Sequence, residues 1–208
     1  MKITLFGAGG MIGSRIAQEA LARGHEVTAV VRTPGKLALK HDRLKEVVGD
    51  ASDAASVARV TTGRDAVISA ISVADQEGLL RATAAQIQGV KQSGAPRLLV
   101  VGGAGSLEVA PGLQLVDAPG FPDAYKAPAL AHREVLKVYR QADLDWTYLS
   151  PAAVISPGER TGKFRLGGDQ LVADAKGDSK ISAEDYAVAM IDEMETPRHI
   201  RKRFTLAY

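Results

Sequence analysis

The residues best placed to do chemistry together open the chain. Gly7-Ala8-Gly9-Gly10-Met11-Ile12-Gly13 is followed, one short segment later, by the cation Arg32. Glycine at 7 permits a tight turn, at 10 a close backbone approach to a pyrophosphate, and at 13 close packing of a helix on a strand. A helix starting at Met11 offers N–H groups and the positive end of its dipole to phosphate. The spacing is not Gly-x-Gly-x-x-Gly, which would need glycine at Ile12. A glycine loop alone is also compatible with a plain turn. An apolar strand before it, a helix after it and a second strand beyond favour nucleotide binding.

Arg32 ends that second strand, about 20 residues past the loop, where NAD-binding folds place a carboxylate on the ribose hydroxyls. Arg32, with Lys36 one short turn later, instead offers positive charge to a 2′-phosphate, so NADPH is expected in preference to NADH. The alternative is an arginine capping a strand end in water. Asp50 suits either a hydrogen bond near the adenine or a plain turn. Ser69-Ala70-Ile71-Ser72 and Gly102-Gly103-Ala104-Gly105-Ser106 end later strands with small residues that clear space for a ligand lying across the sheet edge.

Other chemistries lack their residues. A tyrosine with a lysine one helical turn later, the lysine lowering the phenol pKa, serves many carbonyl reductions. Tyr125, Tyr139, Tyr148 and Tyr186 have Ala129, Asp143, Ala152 and Met190 at that spacing. His25, His41, His132 and His199 are scattered without ligand-like pairing, so no metal is expected. Neither a Gly-x-Ser-x-Gly elbow nor a P-loop occurs. His132 reads either as a residue on the substrate side of the fold or as a surface histidine.

The elements that must position these residues alternate. Lys2–Phe6, Glu26–Val31, Leu44–Val48, Ala66–Ile71, Arg97–Val101 and Trp146–Leu149 are strand candidates, most of them nearly continuous in Val, Ile and Leu, as buried parallel strands are. Met11–Arg23, Ala54–Val60, Gln76–Ser93 and Ala129–Gln141 are helix candidates, and Gly24, Gly63 and Gly94 sit where helices should stop. Such alternation predicts an α/β fold with a doubly wound parallel sheet flanked by helices. Ala110–Pro128 is the least regular stretch and is expected to overhang the carboxyl ends of the strands. Pro157–Leu171 reads as a loop with a short hairpin at Gly167-Gly168. Ser182 caps a helix running to about Glu195, and Phe204–Ala207 closes the chain as a strand.

With 208 residues the chain is expected to form one domain, residues 151–208 forming a small substrate-side segment. Hydrophobic residues at 46% and charged residues at 24% exclude a disordered, fibrous or membrane-bundle protein. A net charge of +2 does not advertise nucleic acid, and the dense basic cluster Arg198 to Arg203 reads as a solvated link into the last strand. The absence of cysteine removes disulfides, thiolate zinc sites and a cysteine nucleophile. No targeting segment or apolar run of about 20 residues is evident, so a cytoplasmic protein without membrane contact is expected.

Gly7–Gly13, Arg32, Val101–Leu107, Leu144-Asp145-Trp146-Thr147 and Pro151 resemble the NAD(P)H-binding, NmrA-like atypical short-chain dehydrogenases. Within that family the chain looks most like the NADH-flavin reductase branch, and it is similar to biliverdin-IXβ/flavin reductases. Gly158–Phe164, Gly177–Ser182 and Asp185-Tyr186-Ala187 carry the branch resemblance, which covers nearly the whole chain. It implies a Rossmann-like fold and NADP contacts at Gly7, Gly10, Met11, Ile12, Gly13, Arg32, Lys36, Asp50, Ala51, Ala70, Ile71, Ser72 and Gly103. It places His132 near the substrate pocket. Where the flavin reductases have a serine this chain has Gly103, and Ser106 is the candidate substitute. The resemblance implies hydride transfer from NADPH to a flavin, a quinone or a similar planar acceptor by a monomer or homodimer. The alternative is a non-catalytic NADP(H)-binding redox sensor.

Overall fold

The computed structural model describes residues 1–73 and 75–208. Its main sheet is built from β1 (Lys2–Phe6), β2 (Glu26–Val31), β3 (Leu44–Val48), β4 (Ala66–Ser69) and β5 (Leu98–Val101), then, beyond the short antiparallel pair β6 (Glu108–Ala110) and β7 (Leu113–Gln114), from β8 (Trp146–Ser150). After β9 (Val154–Ser156) come β10 (Arg165–Gly167), β11 (Lys180–Ser182) and β12 (Lys202–Ala207). The eight-stranded order is β10-β12-β8-β5-β4-β1-β2-β3, and every pairing is parallel except β10 with β12.

Helices cover both faces because the strands are apolar on both. Ile3 and Leu5 of β1 pack with α1 (Met11–Ala22) and α5 (Ala183–Glu195), whereas Phe6 packs in a second core beneath α2 (Ala54–Thr61), α3 (Gln76–Ser93) and α4 (Asp123–Gln141). All residues of β4 and β8 are buried. Thr4, a polar residue inside β1, is accommodated because its hydroxyl donates to the Val60 carbonyl at 2.8 Å. Strand order reverses between β1 and β4, the switch point at which open α/β sheets bind ligands.

Three sequence expectations are corrected. β4 stops at Ser69 rather than Ile71, and the residues beyond leave the sheet to face the glycine loop. α4 starts at Asp123 rather than Ala129 and runs through Pro128. The hydrogen bond that Pro128 cannot donate would have gone to Ala124, which is exposed and can be satisfied by water. No hairpin forms at Gly167-Gly168. Neither glycine has the positive φ that a tight hairpin turn demands, and Leu166 pairs instead with Leu206. Residues 151–208 contribute β10, β12 and α5 to the main layers, with only the β9–β11 pair outside the main sheet. Ser182 caps α5 as expected, its hydroxyl accepting the Asp185 N–H at 2.9 Å.

Candidate functional site

The chain leaves β1 at Gly7, whose φ of +83° suits glycine, and a Cβ there would lie 2.1 Å from the Ala70 carbonyl oxygen. A Cβ on Gly13 would lie 2.1 Å from the Gly7 oxygen and 3.3 Å from the Ala70 Cβ. Close packing of loop, helix and β4 therefore demands both glycines. Gly10 differs. Its φ is −79°, and a Cβ would meet nothing nearer than the Gly7 oxygen at 3.4 Å. The protein leaves that space open. α1 starts there with no side-chain cap and no acid in its first turn, so the positive end of its dipole is unopposed. This cradle fits the pyrophosphate of a dinucleotide.

Beside the loop lies a cavity of about 620 Å³ lined by Gly7, Arg32, Asp50, Ile71, Ser72 and Arg81, among others. Ala51 also lines it. Asp50 Oδ1 accepts from the Ser52 N–H at 2.8 Å and the Ser52 hydroxyl at 2.7 Å. Those two bonds hold the carboxyl below its usual range, and the charges of Arg32 and Arg81 add to them. Lys36 lines a separate hollow with Ala8 and Gly9, across the loop from Arg32. Met11 is exposed, and Ile12 packs half-buried against the core. Arg81 and Ser52 escaped the sequence reading. An arginine on an amphipathic helix and a serine in a turn carry no signal of their own.

The second group of candidate residues lies beyond β5. Register pairs Val100 with Ser69, so the chain leaves the two neighbouring strands at the same edge of the sheet, Ser72 following one and Gly103 the other. A Cβ on Gly102 would lie 2.1 Å from the Tyr148 ring, and one on Gly103 2.7 Å from the His132 Cβ. Gly103 is thus glycine because α4 passes so close, and a serine there would have to displace His132. Tyr148, fully buried, accepts the Gly103 N–H at 3.2 Å. Its hydroxyl lies 3.1 Å from the His132 carbonyl oxygen and 3.2 Å from His132 Nδ1. If the one hydroxyl proton goes to the carbonyl, Nδ1 must be the donor in the other contact. Burial pushes the His132 pKa down and the Tyr148 pKa up, so both groups are held neutral.

Ser106 is not brought to this cluster. It is buried, with its hydroxyl 3.1 Å from the Arg203 guanidinium, whose Nε donates to Asp169 at 2.7 Å. Arg203 therefore leaves the solvated basic link for the interior, while Arg201 stays exposed on Asp143 and Asp145. Tyr148 had no signal as the partner of His132, because the two meet only through the packing of α4 on β8. Among the described residues no group of three His, Asp or Glu could hold a metal, and no helix is long and apolar enough to cross a membrane.

Comparison with known proteins agrees with this geometry. The family described as NAD(P)H-binding matches residues 7–197. A proposed exported protein of Burkholderia pseudomallei is 52% identical and superposes over 100% of both chains with a TM-score of 0.92. A proposed epimerase of Bacteroides thetaiotaomicron is 45% identical, with a TM-score of 0.94 over 100% of this chain and 96% of that one. A proposed NADH-flavin reductase of Streptococcus pneumoniae is 35% identical, with a TM-score of 0.86 over 100% of this chain and 99% of that one.

Proposed function

The chain belongs to the NAD(P)H-binding family, and from that premise we propose that it is an NADPH-dependent oxidoreductase acting on a flavin, a quinone or a similar planar conjugated acceptor. The observation that carries the acceptor class is the neutral, interlocked pair His132 and Tyr148 beside Gly103, in a chain without a tyrosine–lysine pair. Reducing an ordinary ketone leaves an alkoxide that needs a positioned acid. A flavin or quinone spreads the incoming charge over its rings and takes its proton from water. The likeness to the proposed NADH-flavin reductase supports the same acceptor class.

Gly10 and the start of α1, with Met11, Ile12 and Gly13, would hold the pyrophosphate. Arg32 would meet the 2′-phosphate, with Lys36 adding positive charge from its separate hollow, and Asp50 and Ala51 would meet the adenosine. Gly7, Ala70, Ile71, Ser72 and Gly103 would line the path toward the nicotinamide. When bound, the reduced nicotinamide supplies a hydride, that is two electrons and one proton. His132 orients the acceptor, and orientation supplies much of the rate. Ser106, bonded to Arg203, keeps the loop after β5 in place. A cytoplasmic site of action belongs to the same reading, since NADPH is regenerated there.

The test is NADPH oxidation by the purified protein with riboflavin, FMN or menadione. Turnover is expected with at least one of them and little with simple aldehydes and ketones. Tight NADPH binding without turnover on any acceptor would replace this reading with that of a cofactor sensor.

A further inference from the structure

Asp123 to Pro128 form the first turns of α4, and every one of these residues is exposed. Pro122 gives the helix no side-chain cap, and Pro128 cannot donate the bond that would tie these turns to the next. Helical turns without packing or capping gain little stability by themselves. This end of the helix projects past the strand ends on the acceptor side.

The neighbours of Gly105 and Gly103 show which face of α4 looks toward that space. A Cβ on Gly105 would lie 2.7 Å from the Ala129 Cβ, and one on Gly103 2.7 Å from the His132 Cβ. Tyr125 precedes Ala129 by one helical turn and His132 by two, so it shares their face. At 1.5 Å rise per residue it stands roughly 10 Å beyond His132 along the axis. It is 66% exposed, more than any other large apolar side chain among the described residues.

We propose that Tyr125 is the aromatic wall of the acceptor site, stacking its ring on a planar acceptor held beside the first turns of α4, beyond His132. The proposal rests on the acceptor reading above and adds the residue that selects for flat, conjugated molecules. Stacking on an aromatic face asks for a π-surface and no particular hydrogen-bond pattern. The ring, not the hydroxyl, is the useful part. Ala129 stands where a lysine would be needed to activate the phenol.

The experiment titrates riboflavin, followed by quenching of its fluorescence, into protein saturated with NADP⁺, for wild type, Tyr125→Ala and Tyr125→Phe. A lost stacking partner is expected to weaken riboflavin roughly tenfold in the alanine variant. The phenylalanine variant should match wild type, and NADPH affinity should be the same in all three. In steady state the alanine variant should show a raised riboflavin KM with kcat nearly unchanged. Riboflavin binding equally well to wild type and Tyr125→Ala overturns the wall while leaving the acceptor reading intact. A phenylalanine variant as weak as the alanine one assigns the contact to the hydroxyl and overturns stacking. Wild type that neither binds nor reduces riboflavin, FMN or menadione overturns the acceptor reading, and the wall with it.

Discussion

Around the ends of β1, β2 and β3 the groups offered to a ligand are exposed and rich in backbone, whereas beyond β5 they are half-buried or buried and bonded to one another. Arg32 and Asp50 stand at the surface of a cavity of about 620 Å³, and the Gly10 cradle is open. Gly103, His132 and Tyr148 instead form a closed set in which a backbone N–H, a phenol, an imidazole and a carbonyl satisfy each other. The difference separates affinity from architecture. A change on the first side should alter what binds while the fold stands, and a change on the second should disturb packing as well as chemistry.

The largest effect tests the first side. Gly10→Val should abolish NADPH binding in a calorimetric titration, because the branched side chain occupies the space the protein leaves open. Thermal unfolding should shift little, since the φ of −79° suits valine and loss of this N-cap glycine costs about 1 kcal/mol. A folded variant that binds NADPH normally would break the assignment of the cradle. Next comes Arg32→Ala, which removes a charge-assisted bond of roughly 1.5–3 kcal/mol, or about ten- to a hundredfold in NADPH affinity. NADH affinity should hardly move, so the ratio of the two constants is the measurement. An unchanged ratio would leave Arg32 a solvated strand end.

The second side is tested by His132→Ala. Turnover with riboflavin should fall by less than the ~10²–10⁴-fold that loss of a general acid produces, and the melting temperature should fall too. A larger collapse with NADPH binding intact would make His132 the proton donor. The smallest effect is a pH dependence. Burial holds the His132 pKa below its ordinary 6.5. As pH falls through that value the unfolded chain takes up the proton first, so the unfolded state binds more protons and stability declines. The contribution is complete above about pH 6.5 and is lost progressively below it, until the folded value is passed. His132→Gln should therefore show a flatter fall in denaturation midpoint between neutral and mildly acidic pH than wild type. Parallel curves would show that His132 is not shielded from solvent.

Local features were legible in proportion to how local their causes are. β1, β2, β3 and α3 have the bounds the sequence reading assigned them. The apolar runs of β1 and β2 and the glycine stop after Ser93 define three of them without distant partners, and β3, with Lys45 and Glu46 inside it, is the more exposed edge strand. The glycine loop was legible for the same reason: Gly7 and Gly13 meet within one turn of chain. α4 was not. A proline argues against a helix unless the carbonyl it strands is exposed to water, and exposure belongs to the folded molecule. The fate of Gly167-Gly168 turned on whether Leu166 found a partner in its own loop or in Leu206, a choice made between segments far apart in the chain.

The amino-acid sequence by itself determined that apolar strands alternate with helices, that a glycine loop between strand and helix opens the chain, and that a cation rather than a carboxylate follows β2. Only the tertiary structure decided which polar side chains meet. Ser106 and Arg203 are 97 residues apart in sequence, yet their side chains lie 3.1 Å apart. That contact turns Ser106 toward Arg203 and leaves His132 with Tyr148. Short-range preferences set the backbone of a strand or a helix turn. The partner of a buried hydroxyl is set by the need to satisfy it wherever the assembled layers carry it, and no local pattern records that.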